Sequence, residues 1–169
     1  NKAQSGEEPS MTAQYVDSAV FYLERSLKLF PDNNSASYRL GLISSMRGES
    51  DKAVRYYRQS IKSKPDYFMA LNNLGALYAF RSNFDSAYYF FVRSLKAEPQ
   101  NDMTLTNLTV VCFNLGKYQD AVNYGEKLLS LGFKSAKIYG LLAQSYGRLG
   151  NQSQAAKYQA LYDVNPNLK

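Results

Sequence analysis

The chain has no histidine, no tryptophan and a single cysteine, Cys112. Without histidine it lacks the commonest general base, the usual partner of a catalytic nucleophile and a common zinc ligand. One thiol closes no intrachain disulfide and builds no cysteine metal cluster, and it leaves the redox compartment open. No glycine-rich phosphate loop of the GxxxxGK or GxGxxG type occurs. No apolar run approaches the roughly 18–20 residues that a bilayer-spanning helix requires. The carboxylates at Glu7-Glu8 and Asp51 have no partner at a spacing that suits acid–base work. These absences point away from an enzyme, from any cofactor or metal, and from direct membrane insertion by this segment.

The opening, NKAQSGEEPS, has neither an initiator Met nor an apolar signal core, and it reads as an excised or processed end. Residues 1–12 are expected to be a disordered polar segment. Beyond them the composition suits a packed fold, with 45% hydrophobic residues that include 15 Tyr and 9 Phe. The net charge of +6 invites the question of a nucleic-acid partner. In its densest stretch, Lys52, Arg55, Arg58, Lys62 and Lys64, several residues have the spacing of one solvated helical face, and elsewhere the charges are scattered and interleaved with acids. No nucleic-acid partner is expected.

An internal period organises the rest. Ala19, Ala53, Ala87, Ala121 and Ala155 follow one another at a constant interval of 34 residues. Pro31, Pro65 and Pro99 share the interval, with Phe133 in the fourth slot, and Ser26, Ser60 and Ser94 share it too. Gly41 and Gly75 are continued by the small residues Thr109 and Ala143. Gly48, Gly116 and Gly150 define a further slot that Ser82 occupies in the remaining unit. A period of this length marks a stack of supersecondary units, each too small to bury its apolar face alone.

Each unit reads as two helices. In the clearest one, Leu71, Leu74 and Tyr78 recur at helical spacing, Arg81-Ser82-Asn83 breaks the pattern, and a second amphipathic run over 84–95 carries Ala87, Phe91 and Leu95. Pro99 stops that run, because proline has no amide donor and clashes with the preceding turn. Gly75 and Ala87 fall where the two helices of a hairpin must cross closely.

The set Leu71, Leu74, Gly75, Tyr78, Ala87, Phe91 and Pro99 resembles the tetratricopeptide repeat signature, with Leu71 in place of the usual Trp. The preceding unit matches at Leu40, Gly41, Ala53, Tyr57 and Pro65 but has Ser44 for the usual aromatic. The following unit keeps Leu105, Leu108 and Ala121, and departs at Thr109, Cys112 and Gly125. The last keeps Tyr139, Leu142, Tyr146 and Ala155. The resemblance implies an all-α fold, a right-handed α-α superhelix (solenoid) of helix-turn-helix repeats over 34–67, 68–101, 102–135 and 136–169. Residues 13–33 resemble an orphan second helix, either of a truncated repeat or serving as a cap. The final helix is polar, as a terminal cap should be. Cys112, in an aromatic slot between helices, is expected to be a buried small hydrophobe.

The same resemblance implies a protein-interaction scaffold whose first helices line a peptide-binding groove. Arg39, Asn73, Asn107 and Leu141 share one groove-facing slot, and an asparagine amide can donate to and accept from a peptide backbone at once. Asn73 and Asn107 would form a two-rung ladder similar to that of the repeat domains of O-linked N-acetylglucosamine transferases. Tyr38, Met69, Asn72, Met103 and Lys137, with Phe80, Asn114 and Arg148, are further groove candidates. The slots that form a carboxylate clamp in chaperone-binding relatives hold Tyr38, Leu42, Asn73, Met103 and Asn107, so the cations are missing and chaperone tails are not expected. Two alternatives stay open: the substrate-recruiting arm of a larger enzyme such as a glycosyltransferase, and self-association through the N-terminal helix. The Asn-x-Ser/Thr triplets at Asn33, Asn107 and Asn151 read as chance matches in an Asn- and Ser-rich chain.

Overall fold

The computed structural model describes residues 11–165, with side chains from residue 14. Residues 1–10 of the expected disordered segment lie outside that range. All regular structure among the described residues is α-helical: α1 (Met11–Leu29), α2 (Asn34–Met46), α3 (Ser50–Ser63), α4 (Phe68–Phe80), α5 (Phe84–Ala97), α6 (Asp102–Asn114), α7 (Tyr118–Ser130), α8 (Ala136–Arg148) and α9 (Gln152–Val164). The first helices of the hairpins, α2, α4, α6 and α8, begin 34 residues apart. The chain divides into two compact units between Pro65 and Asp66.

In the first unit α2 and α3 form a hairpin and α1 packs on α2. The hairpin closes where Gly41 meets the Tyr57 ring: a Cβ at Gly41 would stand 2.5 Å from Tyr57 Cε1. Ser60, wholly buried, donates through Oγ to the Asn34 carbonyl at 2.9 Å, satisfying a backbone group at the start of α2. Asn33 caps α2, accepting from the Ala36 amide at 3.1 Å while its Nδ2 donates to Ser26 Oγ at 3.0 Å. Helix α1 is held by an ion pair between Asp17 and Arg47 and by the Tyr56 hydroxyl, which donates to Glu24 at 3.3 Å. A cavity of about 50 Å³ opens beside Ser44, which stands where the next repeat has Tyr78.

The second unit is three hairpins, α4–α5, α6–α7 and α8–α9, laid side by side so that α5 meets α6 and α7 meets α8. Leu71, Leu74, Leu105, Leu108, Ile138 and Leu142 are wholly buried along the inner faces of the first helices. Burying each such side chain stabilises the fold by about 1.5–3 kcal/mol. Gly75 lies against Phe91, which a Cβ at that glycine would approach to 2.8 Å. In the next hairpin the sizes are exchanged. Thr109 stands in the glycine's slot, Gly125 stands in the aromatic's, and Leu142 fills the space, 2.9 Å from where a Gly125 Cβ would be. The turns of the repeats place Gly48, Gly116 and Gly150 at φ of 73°, 71° and 79°, and Ser82 adopts the same left-handed conformation at 56°. No helix among the described residues is long and apolar enough to cross a membrane.

Candidate functional site

The first helices of the second unit bury one face and expose the other. On α4 the outward positions are Met69, Asn73, Ala76 and Phe80, spaced four, three and four residues apart. The matching positions are Met103, Asn107, Val110 and Asn114 on α6, and Lys137, Leu141, Gln144 and Arg148 on α8. Phe80 is 84% exposed and Met103 59% exposed, large apolar side chains left in water at opposite ends of the stripes of α4 and α6. Helix α6 touches both α4 and α8, so the three stripes are neighbours on one surface.

A polar cluster between α4 and α6 orients the middle of this surface. Asn72 is only 4% exposed, and its Oδ1 accepts from Asn107 Nδ2 at 3.2 Å and from Thr104 Oγ1 at 3.2 Å. Its Nδ2 faces Met103 Sδ at 3.1 Å, a weak acceptor. The buried Thr104 hydroxyl also lies 2.8 Å from Asn101 Oδ1 and 3.1 Å from Ser94 Oγ, and Ser94 in turn donates to the Phe68 carbonyl at 3.0 Å. Burial makes a satisfied network of this kind stiff, because breaking it leaves polar groups without partners. Asn107 thus enters the surface with one amide N–H committed inward.

Among the residues expected to line the groove, Asn72, Met103 and Asn107 meet directly, while Asn73 lies half-buried on the next position of α4. Asn72 is not a surface contact: it is a buried residue that positions Asn107 and Met103. Met69 and Lys137 occupy the first outward position of α4 and α8, both exposed. Tyr38 and Arg39 belong to the first unit, where Tyr38 is half-buried with its ring 6.0 Å from that of Tyr57 and Arg39 is exposed. Thr104 and Ser94, which complete the cluster, carried no signal beyond the recurrence of Ser94 in its slot.

The remaining candidates resolve into structural roles. Cys112 is wholly buried, and burial, with a smaller effect from the Asp120 charge, pushes its thiol up to about 12. Asn33 and Asn151 are helix caps, Asn151 accepting from the Gln154 amide at 3.2 Å. No cluster of three or more metal-ligating side chains occurs among the described residues. At the far end of the unit, Glu126 on α7 accepts from the Tyr146 hydroxyl at 2.6 Å and the Tyr158 hydroxyl at 3.1 Å, tying α8 and α9 to α7.

Residues 45–102 match the family model of the tetratricopeptide repeat. No curated protein gives a significant match. Among solved structures the chain is similar to MamA AMB-1, at 22% identity over 94% of this chain and 87% of that one, with a TM-score of 0.79. A crystal structure of MamA aligns at 19% identity over 92% and 91% of the two chains, with a TM-score of 0.80. The 41-end segment of MamA from Desulfovibrio magneticus RS-1 aligns at 17% identity over 88% and 84%, with a TM-score of 0.76. At these identities the likeness establishes the fold, an α-α solenoid of helical-hairpin repeats.

Proposed function

On the premise that tetratricopeptide repeats build this chain, we propose that it is a non-catalytic protein-interaction scaffold that binds an extended peptide or helix across the outward faces of α4, α6 and α8. The observation that carries the reading is Asn107, held by a buried asparagine at the centre of a surface that leaves Phe80 and Met103 exposed. A side chain fixed in this way meets a ligand with less rotamer entropy left to lose. Asn73 and Asn107 would engage the ligand backbone, and Met69, Phe80 and Met103 would bear on its apolar side chains. The experiment is partner capture on the immobilised chain, comparing wild type with Asn73→Ala/Asn107→Ala and checking the fold by circular dichroism. Partners retained equally by both proteins would remove the reading.

A second reading, self-association through α1, draws on one observation. Ala19 is exposed, whereas its equivalents Ala53, Ala87 and Ala121 are completely buried under the first helix of their own repeat and Ala155, in the last described hairpin, is half-buried. Phe21, Tyr22 and Leu29 on the same helix are each at least 60% exposed. Ala19→Glu should abolish any concentration-dependent increase in mass seen by light scattering. A wild-type chain that stays monomeric across the micromolar range would rule this second reading out.

A further inference from the structure

In the other repeats the second helix meets its own first helix at recurring slots, and α1 carries the same slots with nothing on them. At the alanine slot, Ala53 and Ala87 are fully buried. At the serine slot, Ser60 and Ser94 donate through Oγ to the carbonyls of Asn34 and Phe68, the residues that open α2 and α4. Between these lies an aromatic slot, whose ring stacks on the first helix: Phe90 on Tyr78 at 5.5 Å, and Tyr158 on Tyr146 at 5.8 Å. On α1 the corresponding residues are Ala19, Tyr22 and Ser26, spaced as one helical face. Here Ala19 and Tyr22 are exposed, and Ser26 Oγ accepts from Asn33 Nδ2, which leaves its hydroxyl proton to give.

We infer that this face docks one amphipathic helix of a partner protein, laid antiparallel to α1 so that it completes the repeat in trans. Its chemistry follows from the helices that fill the same place elsewhere. Helices α4 and α8 both have a small residue at their eighth position, Gly75 and Ala143, and an aromatic at their eleventh, Tyr78 and Tyr146. Both also have large hydrophobic residues at their fourth and seventh positions. The partner helix carries that pattern, with its first carbonyl over Ser26 and its aromatic over Tyr22. The repeat's own turn does not join it to α1. Gln14 stands in the slot of the left-handed turn residues Gly48, Gly116 and Gly150, and α1 is helical there, from Met11 onward. A second copy has no unengaged helix of this pattern, because Gly41, Gly75, Thr109 and Ala143 are each buried. The face is the one considered above for self-association, with a different occupant, and the inference does not depend on the groove.

The probe is a synthetic peptide of the α4 sequence, Phe68–Phe80, with Met69→Glu and Phe80→Glu for solubility. A staple on its outward side holds the helix, since so short a helix is marginal alone. Fluorescence anisotropy follows its binding to the intact chain as wild type, Ala19→Glu and Tyr22→Ser, each checked by circular dichroism. Both residues are exposed in the free chain, so neither substitution should disturb the fold. Wild type should bind saturably, and either variant, or a probe with Gly75→Leu, should bind at least about tenfold more weakly. A nitroxide at the N-terminus of the probe should broaden amide signals near Ser26 and not those near Gln14. Absence of saturable binding, equal binding to all three proteins, or broadening at the Gln14 end would overturn the inference. Wild-type oligomers that form without the probe and dissolve in Ala19→Glu would assign the face to a second copy and overturn this occupant. A monomer that binds the probe would do the reverse.

Discussion

Asn107 Nδ2 on α6 donates to Asn72 Oδ1 on α4 at 3.2 Å, so a buried amide of one repeat sets the orientation of a surface amide of the next. The two asparagines therefore have opposite roles, and substitution separates them. Asn72→Ala is expected to lower unfolding free energy by about 1–3 kcal/mol, because Asn107 loses its acceptor and the buried cluster loses a member, while the Thr104 hydroxyl keeps Asn101 Oδ1 at 2.8 Å. Asn107→Ala is expected to stay within about 1 kcal/mol of wild type while weakening ligand binding. Denaturant unfolding of the two variants side by side checks the contrast, and equal destabilisation would contradict it.

The approach of α4 to α5 at Gly75 predicts a size limit. Gly75→Ala places a methyl 2.8 Å from the Phe91 ring, inside contact distance, and overpacking of this kind costs about 1–3 kcal/mol. Phe91→Leu combined with Gly75→Ala should be less destabilised than the sum of the single variants, since the two residues share one space. Thermal unfolding of the four proteins in the cycle measures the coupling.

Ser82 occupies a left-handed turn position that glycine holds in the other repeats, with φ at 56°. An L-residue pays about 1–2 kcal/mol for that conformation. Ser82→Gly should raise stability by about 0.5–1 kcal/mol after allowing for the greater flexibility of glycine in the unfolded chain, visible as a higher midpoint in urea.

The Glu126 junction predicts alkaline sensitivity. Burial, and after it the Glu126 charge and hydrogen bond, raise the Tyr158 phenol from 10.0 to about 12. The folded state then holds this proton more tightly than the unfolded chain does, so its stabilisation is complete below pH 10 and is lost as pH rises through 12. Tyr146 is shifted in the same direction, by burial and by the same carboxylate. Glu126→Gln keeps an acceptor but removes the charge, so it should reduce the loss of stability between pH 10 and pH 12. Denaturation monitored at both ends of that interval distinguishes the two proteins.

Much of this was legible in the residues alone. The alanine, proline and glycine slots recur because each marks a place where helices touch or a turn must reverse, and those demands repeat with the hairpin. The slot shared by Gly48, Gly116 and Gly150 even marked Ser82 as the residue in a glycine's place. Two features required three dimensions. Thr109 and Gly125 read as separate departures from the pattern, yet they are one exchange of sizes across a single contact, completed by Leu142 from the next repeat. Asn72 follows Met69 by three residues and precedes Ala76 by four, so helical spacing cannot tell it from a groove position, and only the structure shows it roofed by Thr104 and Met103 of the neighbouring helix.

The central claim is that the outward faces of α4, α6 and α8 bind a partner through Asn73 and Asn107. Calorimetric titration of a peptide selected on the wild-type chain, into wild type and into a folded Asn73→Ala/Asn107→Ala variant, tests it most directly. The account predicts a loss of at least about tenfold in affinity, or about 1.4 kcal/mol, with helical content unchanged. Equal affinity for the two proteins would contradict it and move the search to other faces of the chain.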